Sequence, residues 1–145
     1  PVQVAGSGST RLLIGLREGA RLARLRPDHL ALARLSGQLE VAGFFPFSLA
    51  PAVPDCTSEA RMFCPAIGIA EDPVSGNAHG MLGVYLCAHR LLPVRDGCAA
   101  FTGRQGHHMR RGGRVQVEME IADAMVRTVT IAGEAVVVYE GQLRE

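Results

Sequence analysis

One segment constrains the fold more than any other. Residues 78–92 carry Ala78, Met81, Leu82, Val84, Tyr85, Leu86, Cys87, Ala88, Leu91 and Leu92. At 3.6 residues per turn these positions go nearly all round a helical wheel, with only His79, His89 and Arg90 breaking them. A helix apolar on all sides must be enclosed by protein. Gly80 and Gly83 leave room for a close neighbour, at about 1 kcal/mol each relative to Ala. Pro93 is the expected stop. The apolar stretch is far shorter than the ~18 residues of a membrane span.

The rest of the chain supplies strands to enclose that helix. Residues 10–16 read as a strand, and a short helix begins at Pro27 or Asp28 and ends at Gly37. Strands are expected over 39–47 and 61–67, with a Pro-rich loop over 50–58. Val115, Val117 and Met119 alternate with Gln116, Glu118 and Glu120, which marks a half-buried strand. Residues 126–131 and 134–139 read as a hairpin turning at Ala132-Gly133. One buried helix and about six strands define an α+β fold, a curved, mostly antiparallel or mixed sheet wrapped around a central helix. The 145 residues are expected to form a single domain over 1–145.

Charge and composition exclude several function classes. Fifteen basic and fourteen acidic residues give a net charge of +1, with seven aromatics, two Tyr and five Phe. Neither a nucleic-acid interface nor a membrane surface is expected from that balance. Within the Arg-rich stretch 104–114, Arg110-Arg111 near Gly112-Gly113 reads as a solvated turn. Cys56, Cys64, Cys87 and Cys98 form no C-x-x-C pair, so a zinc ribbon or thioredoxin motif is absent. Cys64 and Cys87 read as small core residues, as does Tyr85. His107 and His108 are adjacent and would point to opposite faces of a strand. No metal is expected. Residues 1–8 have neither a basic nor a long apolar region, so no signal peptide is read there and a cytoplasmic location is expected.

The chemistry concentrates at 68–79, G-I-A-E-D-P-V-S-G-N-A-H. Two carboxylates and a Gly-containing turn stand just before the buried helix. Asn77 is expected as its N-cap. The N–H groups of residues 76–79 would then point out of the helix start as an anion site. Asp72, held by Pro73, stands beside it and can position an amine or move a proton next to a bound acid. The alternative is that Ser75-Gly76-Asn77 only caps a core helix and Glu71-Asp72 is a solvated turn.

R-M-F-C-P-A-I-G-I-A-E-D-P-V-S-G-N-A-H resembles the signature of the phenazine-biosynthesis PhzF-like family, R-x-F-x-P…G-x-x-E-D-P-[VA]-T-G-S-A-H. Gln105-Gly106, then Arg111-Gly112-Gly113-Arg114, resemble the family's Q-G…R-x-G. Residues 129–138 resemble its closing V-x-I-x-G-x-A-V-x-V. The resemblance implies a diaminopimelate-epimerase-like fold of two lobes, each a curved sheet around a helix, with the active site between the helix starts. It implies an isomerase or epimerase that works without metal or organic cofactor. The family's characterised reaction isomerises a dihydro-hydroxyanthranilate by moving a proton.

Carried onto this chain, the family's Asp and Ser fall on Asp72 and Asn77, the expected catalytic pair. Ser75, Gly76, Ala78 and His79 are the expected substrate contacts, with a packed core role as the alternative for His79. Asn77 has no hydroxyl to relay a proton. The match covers only the second, C-terminal lobe; the first lobe and its catalytic Glu have no counterpart, since Glu18 and Glu40 lie in the wrong context. The start at Pro1 reads as the cut between lobes. The expected partners are a small carboxylate-bearing substrate and either a second copy of the chain or a separate N-terminal lobe. The isolated chain is expected to be inactive. The competing reading is a non-catalytic small-molecule-binding or oligomerisation domain.

Overall fold

In the computed structural model, residues 2–6 and 9–142 are described. Seven strands form one mixed sheet in chain order: β1 (Val2–Ala5), β2 (Arg11–Leu16), β3 (Gly43–Ser48), β4 (Ser58–Ala60), β5 (Cys98–Gln105), β6 (Gly113–Ala122) and β7 (Met125–Gly133). β2–β3 and β4–β5 pair parallel and the other neighbours antiparallel. A parallel pair needs a crossover. The first contains α1 (Gly19–Arg24) and α2 (His29–Leu39), and the second contains α3 (Gly76–Ala88). The sheet curls around α3, and the α+β class read from the sequence holds. None of the helices among the described residues is long and apolar enough to cross a membrane.

α3 is the centre of the core. Ala78, Met81, Leu82, Tyr85 and Leu86 pack with Leu13, Phe45, Phe47, Met62, Phe101, Val117 and Met119. Tyr85 meets Phe47 edge-on at 5.5 Å between ring centroids. A side chain on Gly83 would start 2.6 Å from Met119 Sδ and 3.1 Å from Val117. The side chains of β6 therefore press on the helix at Gly83, and a larger residue there would have to displace Met119. Asn77, Val84 and Ala88 remain exposed, so one stripe of the helix is uncovered. Ile14, Leu16, Phe44 and Pro46 alternate with the core residues of β2 and β3 and face residues 25–28 and α2 on the opposite side of the sheet.

Several boundaries differ from the sequence expectation. α3 begins two residues earlier than position 78 and ends well before Pro93. The stop is a Schellman motif: Arg90 adopts φ 54°, its N–H donates to Cys87 O, and Leu91 N–H donates to Leu86 O at 2.8 Å. α2 runs through Gly37 to Leu39, because a glycine on an exposed helix face weakens the helix without breaking it. The strand expected from residue 39 starts at Gly43. The strand expected over 61–67 is replaced by β4, which ends at Ala60, and by a 3-10 turn at Pro65–Ile67. Phe63 keeps a single bridge to Phe44.

The expected hairpin also moves. Its turn is Asp123-Ala124, both at positive φ (52° and 59°), the conformation of a tight two-residue hairpin turn. Ala132 and Gly133 are the last residues of β7, paired with Gln116 and Val115. Residues 134–142 belong to no strand, and Val136, Val137, Val138 and Tyr139 are 87%, 78%, 89% and 86% exposed.

Candidate functional site

Ser75, not Asn77, caps α3. Ser75 has extended backbone, and its Oγ accepts from Ala78 N–H at 3.3 Å. Asn77 is therefore inside the first turn, with an exposed side chain. The His79 N–H donates to the Ser75 carbonyl at 3.2 Å. Of the four amides expected to point outward, two are thus used internally. The amides of Gly76 and Asn77 are left facing outward from the positive end of the helix.

The turn before the cap is held by Gln105, which is 1% exposed. Its Nε2 donates to Asp72 O at 2.6 Å, and its Oε1 accepts from Ser75 N–H at 3.1 Å. Asp72 N–H donates to Met62 O at 2.9 Å. The Asp72 backbone is therefore fixed at both ends while its half-buried carboxylate stays available. Oδ1 of that carboxylate accepts from Val74 N–H at 3.3 Å. Gly106 follows at φ +80°, and a side chain there would start 2.3 Å from Pro73 O and 2.4 Å from Arg111 O. Only glycine fits between these two carbonyls. The signal for Gln105 was present in the Q-G pair, but its role as a clamp depends on the β4–β5 register, Ala60 opposite Gln105.

Glu71 is not a solvated turn residue. Its two carboxylate oxygens receive Arg61 Nε at 2.8 Å and Nη2 at 2.7 Å. Arg61 also donates to the carbonyls of Leu22 and Leu25, each at 3.0 Å. This bidentate pair ties the segment before Asp72 to α1 and β4. The neighbouring carboxylates thus divide their tasks: Glu71 is structural and Asp72 is presented.

A groove of about 670 Å³ opens at the start of α3, lined by Val74, Gly76, His107, Arg114, Ile131 and Glu134 among others. Asn77 lines a separate groove of about 430 Å³ with Gly80, Val84 and Val129. Gly76 and Asn77 therefore line different grooves, and Asp72 lines neither of the two. Arg114 brings a cation to the first groove and pairs with Asp55. His107 and His108 are in a 3-10 turn at His107–Met109, not a strand. His79 has no exposed surface. Its ring lies under the helix, edge-on to Phe45 at 5.3 Å, and burial pushes its pKa down. Among the described residues, no three His, Cys, Asp or Glu side chains are grouped as metal ligands.

The family model described as phenazine biosynthesis-like protein matches residues 1–141. The chain belongs to that family. It is 39% identical over 142 residues to an uncharacterised isomerase, YddE, of Escherichia coli, covering 98% of this chain and 47% of that protein. It is 31% identical over 142 residues to the trans-2,3-dihydro-3-hydroxyanthranilate isomerase of Pseudomonas aeruginosa, with the same coverages, 98% and 47%. The chain therefore spans about half the length of these curated relatives. A PhzF-family phenazine biosynthesis protein of Bacillus anthracis superposes with a TM-score of 0.70 at 18% identity, over 86% of this chain and 46% of that one. A hydroxyproline epimerase of Agrobacterium vitis gives 0.65 at 12% identity, over 90% and 40%. These two establish the shared fold, and the curated relatives of the family are isomerases.

Proposed function

We propose that this chain is one lobe of an isomerase or epimerase that moves a proton on a small carboxylate-bearing substrate without metal or organic cofactor. The observation that carries the reading is the rigid 72–77 turn. Gln105 clamps it from Asp72 to Ser75, and the Gly76 and Asn77 amides stand at the positive end of the helix that follows. A substrate carboxylate fits the two amides and the helix dipole. Asp72 then orients an adjacent amine or exchanges a proton with the neighbouring carbon. The Ser75 hydroxyl accepts from Ala78 and still has its own hydrogen to donate. Asn77 can orient a ligand through its amide but cannot relay a proton.

The matching length of about half of each relative supports a second lobe as the opposite wall of the site. The purified 145-residue chain is accordingly inactive alone. The test is proton exchange in deuterated water with trans-2,3-dihydro-3-hydroxyanthranilate, the compound the Pseudomonas relative is named for. No exchange is expected from the isolated chain, and turnover by it would refute the two-lobe reading. In a protein carrying both lobes, Asp72→Ala abolishes exchange without unfolding.

A second reading is favoured by the exposed run 136–139: a non-catalytic binding or oligomerisation domain. Asp72→Ala separates the two, because that role does not need the carboxylate. A cytoplasmic location is part of the first reading.

A further inference from the structure

The groove at the start of α3 contains a histidine that the proposed reaction does not use. His107 belongs to a tight turn. Met109 N–H and Arg111 N–H both donate to Gly106 O, at 3.0 and 3.1 Å, and Arg110 N–H donates to His107 O at 3.2 Å. His107 and Gly112 line the groove together with Gly76. A side chain on Gly112 would start 2.6 Å from His107 Nε2 and 2.8 Å from Cδ2. The Nε2 edge of the ring therefore rests on Gly112, and any larger residue there would have to displace it.

A charged support stands behind the ring. Arg104 Nε donates to His107 Nδ1 at 3.3 Å. The same Nε lies 3.8 Å from Oε1 of Glu59, which is buried. Glu59 Oε2 accepts from Ala52 N–H at 3.3 Å, and His108 Nε2 lies 3.5 Å from Oε1. A guanidinium only donates, so Nδ1 accepts and the neutral ring carries its hydrogen on Nε2. Burial, then Arg104, and His108 push the His107 pKa down, against the pull of Glu59 and the Gln105 carbonyl. The ring is therefore neutral at pH 7, and its groove edge is a fixed N–H donor.

The other lining residues decide what that donor can meet. Arg114 is already paired with Asp55, and Glu134 is negative. Val74, Ile131 and Val136 supply apolar wall. A carboxylate beside His107 would find no unpaired cation among these residues, whereas an uncharged oxygen needs only a donor.

We propose that His107 is a specificity-determining residue of this groove, its Nε2–H donating to an uncharged carbonyl or hydroxyl oxygen on the apolar body of the ligand. The ligand class is then an oxo- or hydroxy-substituted carboxylic acid, with the carboxylate at the helix start and the second oxygen at His107. The carboxylate half rests on the function proposed above; the His107 contact does not. With Nδ1 engaged and Nε2 already protonated, His107 orients the ligand and takes no proton from it. Arg104 positions the ring.

The experiment is nitrogen-15 spectroscopy of the labelled 145-residue chain at pH 7, titrated with benzoate, the monohydroxybenzoates and phenol. His107 is expected to carry its hydrogen on Nε2. At least one hydroxybenzoate should bind about three- to tenfold more tightly than benzoate and move the Nε2 resonance, and phenol should move it too. In His107→Phe, which keeps a ring over Gly112, the same hydroxybenzoate should bind no more tightly than benzoate, with benzoate affinity unchanged. Arg104→Met should spread the hydrogen over both ring nitrogens and weaken the preference. A hydrogen on Nδ1 in the parent, equal affinities, an Nε2 resonance that none of the hydroxylated probes moves, or a preference that survives His107→Phe overturns the assignment. If His107→Phe does not fold, the tautomer and the ligand shifts of the parent decide alone.

Phenol separates this inference from the function it extends, because it carries the oxygen without the carboxylate. A phenol shift at His107, with benzoate leaving the Gly76 and Asn77 amides undisturbed, refutes the anion site and leaves the His107 contact standing. Amides perturbed by benzoate, with Nε2 indifferent to every hydroxylated probe, refute the contact and leave the anion site standing.

Discussion

Gln105 and Asp72 make different contributions although they touch. Gln105 is buried and holds two backbone groups, Asp72 O and Ser75 N–H. Gln105→Leu leaves both unpaired and should destabilise the chain by about 2–4 kcal/mol in urea unfolding. Asp72→Asn keeps the shape and an oxygen for Val74 N–H, so its melting temperature should stay near the parent's. In a two-lobed protein it should nevertheless abolish proton exchange; parent-like exchange would remove Asp72 from the chemistry. His79 gives a pH prediction. Its folded pKa is depressed by burial, so the unfolded state takes up the proton first as pH falls. The contribution is complete above the unfolded value of about 6.5 and is lost as pH drops below it toward the folded value. His107 and His108 are shifted in the same direction, also chiefly by burial. Stability measured from pH 7 to 5 should therefore fall, and His79→Asn should flatten the slope while lowering the value at pH 7.

At the scale of elements, two glycines give opposite expectations. Gly37 is on the exposed face of α2 with nothing within 4 Å of an added side chain. Gly37→Ala should stabilise the chain by about 0.5–1 kcal/mol. Gly106→Ala meets two carbonyls at positive φ and should destabilise by about 2–4 kcal/mol. Thermal melts of the two variants check both signs. The same contrast explains what was legible in the sequence. The all-round apolar pattern of α3 located the core, because enclosure is a property of the helix itself. The alternation of Val115, Val117 and Met119 located β6 for the same local reason. What was misplaced depended on partners distant in sequence. Residues 126–139 look like two strands joined at Ala132-Gly133, but pairing with β6 extends β7 through those residues and puts the turn at Asp123-Ala124. Asn77 looks like a cap by residue type, yet the Ser75 N–H is held by Gln105 from β5, which sets the cap two residues earlier. Glu71 looks solvated until Arg61 is brought against it. The E-D-P-V-S-G motif thus marked the turn before α3, while its clamp by Gln105 needed the register of the sheet.

The whole molecule exposes more surface than its mass warrants. Its accessible area is 9428 Å², against about 7,200 Å² for a compact monomer of 15.4 kDa. Part of the excess is the segment after β7, where three valines and a tyrosine bury almost nothing against their own lobe. A β-prone, apolar run with unpaired backbone is a strand in search of a sheet edge. In a protein with the other lobe, that lobe is the expected partner; alone, the chain has only further copies of itself. Light scattering at micromolar concentration should therefore report a dimer or larger species. In an extended strand Val136 and Val138 share one face, and charges there oppose edge pairing. Val136→Lys with Val138→Lys should restore the monomer without changing the melting temperature, because neither side chain contributes to the core. A parent chain that is already monomeric would show that the segment has no such role. A double variant that melts lower would show that it folds back on its own lobe, and the unpaired surface would then have to lie along the exposed stripe of α3 at Asn77, Val84 and Ala88.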